Sequence, residues 1–242
     1  ITALIVGGIL VFFIFSLVRQ QKRNNALYKA KILAEITTLE NERARVANDL
    51  HDELGPLLSA IKFKLSSIET HLPEDEQVMQ QTSEHIVDII SRMREISNDL
   101  MPNTLIRKGL VYAIDEFIGK LGNGSKHGET VHGLTISFIH QDVPELPKNM
   151  AINIYRIVQE IVHNTIKHAR ASRLRINISV KDRKLVLQTE DNGTGFDYND
   201  AGKTSTGFGL RNLVSRTEIM AGDLFIDSKK GKGTIYTIEI PV

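Results

Sequence analysis

Apolar residues follow a helical period between positions 50 and 100. From residue 50 to residue 72 they recur at three- and four-residue steps, so on a helix they form a single stripe. The members of this stripe are Leu50, Leu54, Leu57, Ile61, Leu65, Ile68 and Leu72. A second amphipathic helix is predicted over residues 75–100, with apolar residues at seven-residue intervals. Proline disfavours the helical conformation in the residue before it, so Pro73 and Pro102 should end these helices.

Two amphipathic helices joined by a short turn cannot bury both of their apolar stripes alone. Two copies together form a four-helix bundle, in which all four stripes face the interior. We therefore predict a dimerisation domain over residues 38–101 and a homodimer.

The first 18 residues contain no charged side chain. As a helix they would span about 27 Å, close to the roughly 30 Å thickness of a bilayer's hydrocarbon core. A signal peptide is one alternative, but neither a basic start nor a small-residue cleavage site is present. A buried core helix is a weaker alternative, because the run is apolar on every side. Five basic residues then occur between positions 19 and 31 with no acidic residue among them. Residues 1–18 are thus predicted to be a transmembrane helix in contact with lipid, followed by a cytoplasmic segment.

Residues 19–47 are predicted to form a juxtamembrane coiled-coil stalk. Ile32, Leu39 and Val46 repeat at seven residues, and neither proline nor glycine interrupts residues 19–54. A continuous helix could carry a signal from the membrane to the bundle, and a plain dimerisation stalk is a compatible alternative.

The second half of the chain alternates helical and strand patterns over residues 109–242. Helices are predicted over residues 109–120, 148–169 and 207–220, and strands over residues 134–140, 173–180, 184–190, 224–228 and 234–240. Helices grouped against a largely antiparallel sheet predict an α+β fold, here a two-layer α/β sandwich.

The composition excludes several classes of function. The hydrophobic fraction of 41% and the charged fraction of 24% are ordinary for a globular protein. A net charge of +1 gives no reason to expect direct nucleic-acid binding. The absence of cysteine rules out disulfides, thiolate metal sites and cysteine nucleophiles.

Residues 48–59 read N-D-L-H-D-E-L-G-P-L-L-S and place His51 beside Asp52 and Glu53. On a helical wheel His51 lies near the edge of the apolar stripe and Asp52 points away from it, so the imidazole can stay in water. A lone histidine on a helix is usually inert. The acidic neighbours and a nucleotide-type site later in the chain favour a chemical role.

The first part of that later site is one face of a predicted helix. Glu160, Asn164, Lys167 and His168 lie at three- and four-residue steps. A carboxylate, an amide oxygen and a cation suit Mg²⁺ and phosphate oxygens, although an ordinary polar helix face would look the same.

The second part is D-N-G-T-G at residues 191–195, directly after a predicted strand. Gly193 and Gly195 would let the backbone approach a ligand closely. Asp191 could accept a hydrogen bond from an adenine amino group. By composition alone, D-N-G is also a common turn.

The third part is G-F-G-L, with Gly207, Gly209 and Leu210 opening a predicted helix. Backbone N–H groups and the positive end of the helix dipole can hold phosphates there. Residues 197–206 would form a mobile segment between the second and third parts.

The sequence R-V-A-N-D-L-H-D-E-L-G-P-L-L-S resembles the phosphoacceptor box of bacterial sensor histidine kinases that pair with LuxR/NarL-type response regulators. The three later parts resemble the asparagine box and two glycine boxes of the ATP-binding domain of that family. The resemblance covers roughly residues 38–242. It implies a membrane-anchored kinase of a two-component system in the bacterial cytoplasmic membrane, with its catalytic part in the cytoplasm.

The same resemblance implies roles for individual residues. His51 would accept the phosphoryl group of ATP, and Asp52 would orient its imidazole. Asn164 would bind Mg²⁺ with help from Glu160. Lys167 and His168 would face the phosphates, and Asp191 would bind adenine. The loop and the lid of the nucleotide site would be shaped by Gly193, Gly195, Gly207 and Gly209, with Leu210 beside them.

Two alternatives from other classes stay open. One is an ATP-binding pseudokinase or scaffold, against which the intact His51, Asn164 and glycine boxes argue. The other is a nucleotide-gated ATPase of the chaperone or topoisomerase kind, against which the membrane helix and the histidine box argue. Pro56 departs from the family, which often has glutamine there, and it should disturb the helix beside His51.

Overall fold

The computed structural model describes residues 2–68, 72–121, 129–131, 133–197 and 208–242. Residues 69–71, near the predicted end of the first bundle helix, lie outside the described residues. So do residues 198–206 of the predicted mobile segment, and Gly207. The chain divides into two compact units, Ile1–Arg43 and Ala44–Val242.

Helix α1, Thr2–Asp49, is followed by a π-helical turn, Leu50–Leu54, and then by α2, Gly55–Ser66, and α3, Pro73–Leu100. Pro56 has no N–H to donate to the carbonyl four residues earlier. A π turn pairs groups five residues apart and so accommodates this loss. The disturbance predicted beside His51 therefore takes the form of a π turn. Helix α2 also ends earlier than the predicted limit near residue 72.

Among the described residues, no helix is both long enough and apolar enough to cross a membrane. The transmembrane helix predicted over residues 1–18 is therefore not confirmed.

The rest of the chain builds a sheet covered by helices. The helices are α4 (Asn103–Lys108), α5 (Leu110–Leu121), α6 (Lys148–Asn164), extended by a second π turn (Thr165–Ala169), and α7 (Phe208–Ile219). The strands are β1 (Glu129–Val131), β2 (Leu134–Gln141), β3 (Arg173–Lys181), β4 (Lys184–Asp191), β5 (Asp223–Ser228) and β6 (Thr234–Pro241). Their order in the sheet is β1-β2-β3-β4-β6-β5.

Strands β2 and β3 are parallel, and every other neighbouring pair is antiparallel. This arrangement confirms the predicted α+β fold with a largely antiparallel sheet. The short strand β1 was not predicted. The long helix predicted over residues 148–169 is an α-helix only to Asn164 and a π turn beyond it.

One face of the sheet forms the core because side chains alternate along each strand. On β4, Leu185 and Leu187 are fully buried, while Lys184 and Gln188 point to solvent. Helix α6 packs against α5 and α7 and is buried over most of its length. Its C-terminal end and the end of β4 carry the polar residues predicted to bind nucleotide.

Candidate active site

His51 lies in the first π turn with its side chain 63% exposed. Its Nδ1 is 3.0 Å from Oδ1 of Asp52. Neighbouring residues on an ideal α-helix diverge by about 100°, so this contact was not expected from helix geometry alone. A carboxylate that accepts the Nδ1–H leaves Nε2 unprotonated, with its lone pair available to a reactant.

Glu160 and Asn164 lie side by side on α6, as predicted. Nδ2 of Asn164 donates to Oε1 of Glu160 over 3.1 Å. Gly209 of α7 packs directly against this pair, since a Cβ there would lie 2.2 Å from Glu160 Oε1 and 3.3 Å from Asn164 Nδ2. The first predicted part of the nucleotide site, on α6, therefore contacts the third part, at the start of α7. Leu210 is half-buried against the core.

Lys167 and His168 belong to the second π turn, and both side chains are exposed. They follow Asn164 within the next four residues. The structure therefore offers two nitrogen groups to solvent at this end of α6.

Asp191 is buried at the end of β4, with 6% of its surface exposed. Its Oδ1 accepts the N–H of Gly193 over 2.8 Å, and Thr234 of β6 donates both its N–H and its hydroxyl to the carboxylate. Burial raises the pKa of Asp191 above its usual 3.8, while the hydrogen bonds from Gly193 and Thr234 act in the opposite direction. A buried carboxylate with fixed donors is well suited to hold one further donor, such as an amino group.

The loop after Asp191 is attached to the end of α6. The N–H of Thr194 donates to the carbonyl of Ala169 over 2.7 Å. A Cβ at Gly193 would lie only 2.3 Å from that same carbonyl oxygen. Gly195 has φ +56°, and a Cβ there would lie 2.2 Å from the carbonyl oxygen of Lys229. Glycine is thus required at both positions, and the first two predicted parts of the site are joined.

Two buried polar residues on neighbouring strands, Thr189 and Tyr236, lie next to Asp191 in the sheet. Thr189 precedes Asp191 by two residues on the same face of β4, and it is paired in register with Tyr236 of β6. Burial, followed by the charges of Asp191 and Glu160, raises the pKa of Tyr236 to about 12. Oγ1 of Thr189 has no hydrogen-bond partner within the part of the chain that the structure describes.

The donors present fit a nucleotide with its metal. Across the described residues, no group of three or more histidine, cysteine, aspartate or glutamate side chains could hold a metal ion. Mg²⁺ at phosphate sites usually takes one or two protein oxygens and fills its shell with phosphate and water. Glu160 and Asn164 meet that requirement, and the missing Cβ of Gly209 leaves room for their side chains.

Sequence reasoning missed two residues that the structure makes prominent. Thr234, which holds Asp191, comes 43 residues later and reads as the start of an ordinary strand. Arg156 is 8% exposed on α6, and the signal that could have found it is a charge within the apolar run I-Y-R-I-V.

Two family models match this chain. Residues 42–105 match the family described as "Histidine kinase". Residues 149–242 match the family described as "Histidine kinase-, DNA gyrase B-, and HSP90-like ATPase". The first contains His51, and the second contains all the residues discussed at the ends of α6 and β4.

Two relatives align along nearly the whole chain. "Oxygen sensor histidine kinase NreB" of Staphylococcus carnosus is 27% identical over 241 residues, which is 97% of this chain and 67% of that protein. "Sensor histidine kinase ComP" of Bacillus subtilis is 29% identical over 229 residues, which is 91% of this chain but only 29% of that protein. The histidine kinase domain of a blue-light activated kinase from Erythrobacter litoralis aligns with a TM-score of 0.48 and 20% identity, covering 78% of this chain and 95% of that one.

Proposed function

Because the chain belongs to the sensor histidine kinases of two-component systems, we propose that His51 accepts the γ-phosphoryl group of ATP and passes it to an aspartate of a response regulator. The observation that carries this proposal is the exposed imidazole of His51, held at Nδ1 by Asp52. Resemblance to the LuxR/NarL-pairing subfamily around His51 supports a regulator of that type.

Mg-ATP supplies an electrophilic phosphorus whose leaving group is ADP. The Nε2 lone pair of His51 forms the new N–P bond as the bond between the γ-phosphorus and the bridging oxygen breaks. Asp52 keeps the proton on Nδ1 and offsets the positive charge that develops on the ring. The imidazole is exposed, so bound ATP and then a regulator can each reach it.

The positions of the donors support the ATP-binding roles that the resemblance implies. Asp191 accepts a hydrogen bond from the adenine amino group. Its carboxylate is suited to this role since hydrogen bonds from Gly193 and Thr234 hold it in place. Glu160 and Asn164 would hold Mg²⁺, which would offset phosphate charge, while Lys167 and His168 would face the phosphates. Positioning and charge compensation do most of the work in reactions of this class.

A homodimer is supported by apolar side chains that the bundle helices leave exposed. Leu57, Ile61 and Phe63 are 59%, 52% and 73% exposed on α2, and Ile96 is 54% exposed on α3. A second copy would cover such faces in a four-helix bundle. Residues 38–242 should therefore have twice the mass of one chain in light scattering, and a single-chain mass at micromolar concentration would contradict the dimer.

Attachment to the cytoplasmic membrane through residues 1–18 is supported by the sequence and by exposure. Within the described part of this segment, Phe12 and Val11 are 73% and 68% exposed. Residues 1–18 carry no charge, and basic residues follow them. The full chain should stay with membranes during alkaline carbonate extraction, whereas residues 38–242 should be released.

Incubation with γ-labelled ATP tests the central proposal. The chain should incorporate label that is lost in acid and kept in base, as expected of a phosphoramidate. His51→Gln should abolish the label with little change in ATP affinity, and His85→Gln, at another exposed histidine, should leave it intact. A scaffold would bind ATP without label, and an ATPase would release phosphate without labelling protein.

A further inference from the structure

The last turn of α3 is held by an arginine from the nucleotide-binding helix. Nη1 of Arg156 donates to the carbonyl of Asp99 over 3.1 Å, and Nη2 donates to the carbonyl of Leu100. The final carbonyls of a helix have no partner within it and carry the negative end of the helix dipole. A guanidinium with two parallel donors suits such a helix end.

The same turn of α3 is tied to the helix that carries His51. Oγ of Ser97 donates to the carbonyl of Ala47 over 3.1 Å, and both residues are 4% exposed. Ala47 lies four residues before His51, which is about one helical turn. Ala47 and Met101 also belong to the core that extends under the sheet.

Arg156 is rigidly connected to the nucleotide site. Nη1 also donates to Oε1 of Gln159 over 2.8 Å, which fixes the plane of the guanidinium. Glu160 and Asn164 follow Arg156 at four-residue steps, so all three lie along one face of α6. Asn164 is about 12 Å farther along the helix axis.

These hydrogen bonds connect the nucleotide-binding helix α6 to the helix that leads to His51. We call the connected groups the α3 joint, which consists of Ala47, Ser97, the carbonyls of Asp99 and Leu100, and Arg156. We propose that Arg156 and Ser97 are positioning residues that hold the ATP-binding domain against the phosphoacceptor helix for phosphoryl transfer. This inference rests on the proposed function. Neither residue belongs to the nucleotide or phosphoacceptor groups, so each acts by fixing geometry, to which transfer rates are very sensitive.

Arg156→Met in the full chain tests the joint, because it keeps much of the buried stem and removes every donor. We expect kcat for labelling of His51 to fall at least tenfold, while KM for ATP and the Kd for ADP change less than twofold. Arg156→Lys keeps the charge but loses the paired donors, so its kcat should be intermediate. Ser97→Ala should lower kcat in the same direction.

The matched control is Arg175→Met, since Arg175 makes an exposed ion pair with Glu190 on the outer face of the sheet. This variant should label like the parent. An unchanged or increased kcat in a folded Arg156→Met protein would overturn the proposal. A parallel loss of ADP affinity would also overturn it, because Arg156 would then act inside the ATP-binding fold.

Amide hydrogen exchange makes the test independent of phosphorylation. In Arg156→Met, residues 97–108 should lose protection, while β3, β4 and β6 keep theirs. If the parent never labels His51, the proposed function fails, and the exchange result still shows whether Arg156 holds the joint. Unchanged exchange at residues 97–108 would reject the joint itself.

Discussion

Oδ1 of Asp52 lies 3.0 Å from Nδ1 of His51, although both side chains are mainly exposed, at 76% and 63%. An exposed side-chain contact of this kind contributes little to stability. Its value is chemical, because the contact selects the tautomer in which Nε2 carries the lone pair.

Asp52→Asn should therefore slow autophosphorylation without unfolding the bundle. Loss of the charge that stabilises the ring should cost on the order of 10²-fold in rate, within the usual range for acid–base partners. Glu53→Gln, at the neighbouring exposed carboxylate, is the control and should have a nearly normal rate. Equal labelling rates for the parent and Asp52→Asn would show that the contact has no catalytic role.

Asp191→Asn should weaken adenine binding and change how stability depends on pH. Burial raises the pKa of Asp191 in the folded protein, so ionisation there costs stability. The cost is absent below the ordinary pKa of 3.8 and complete above the raised pKa. The stability of the parent relative to the variant should thus fall as pH rises through that window, as measured by urea unfolding. Asp182→Asn, in the exposed β3–β4 turn, is the control, and a pH-independent difference for Asp191→Asn would contradict the expectation.

Gly209→Ala should separate folding from nucleotide binding. The new Cβ would meet Glu160 Oε1 at 2.2 Å, and that carboxylate is the movable end of a flexible side chain. Thermal stability should be unchanged or slightly higher, since alanine has a higher helix propensity than glycine. Mg-ATP affinity should fall about tenfold by calorimetry, consistent with displacement of one metal ligand, and ADP affinity without Mg²⁺ should change less. Equal losses with and without Mg²⁺ would show that Glu160 does not serve the metal.

Thr189→Val should stabilise the protein. The hydroxyl of Thr189 is buried, with 1% of the residue exposed, and it has no hydrogen-bond partner among the described residues. Its replacement by a methyl group should raise the free energy of unfolding by about 1–3 kcal/mol. Thr217→Val is the matched control, because Thr217 is equally buried and its hydroxyl donates to Leu213 over 2.8 Å. Thr217→Val should leave the free energy of unfolding unchanged or lower it. An increase in the free energy of unfolding for both variants would refute the explanation.

Pro56→Gln should increase dephosphorylation of the regulator, if a side-chain amide at this position orients a hydrolytic water. Proline has neither a polar side chain nor an N–H with which to do so. Regulator-phosphate lifetime should be measured with ADP present for the parent, the variant and no kinase. Pro56→Ala restores the N–H without the amide and is the control, with autophosphorylation measured in each variant. If the parent kinase already shortens the regulator-phosphate lifetime strongly, dephosphorylation takes a route that does not need an amide at position 56.

Local patterns predicted the helices and strands because their periods reflect burial of one face. On β3, the buried Leu174 and Ile176 lie on either side of the exposed Arg175, and this alternation is visible in the sequence. Alternation does not say which strand lies alongside, so the parallel pairing of Ile136 with Leu174 could not be derived. The three residues of β1 are too few to produce a pattern.

Some contacts of the candidate site could likewise be predicted from the sequence, and others could not. Glu160 and Asn164 share a helix face by spacing alone, so their contact could be predicted. The donation from Thr234 to Asp191 depends on the pairing of β4 with β6, which only the folded sheet defines. Arg156 reads as part of an amphipathic helix, and its partners on α3 are carbonyl groups, which carry no sequence signal.

The π turn at His51 also changes the residue count along the helix. Apolar residues are spaced by seven up to Val46, and spacing by seven resumes from Leu54 through Ile61 to Ile68. The step from Val46 to Leu54 is eight, and a π turn absorbs one residue more than an α turn. The heptad phase is therefore restored within the phosphoacceptor turn itself. Converting that turn to an ideal α-helix would rotate Leu54 and everything after it by about 100° relative to Val46.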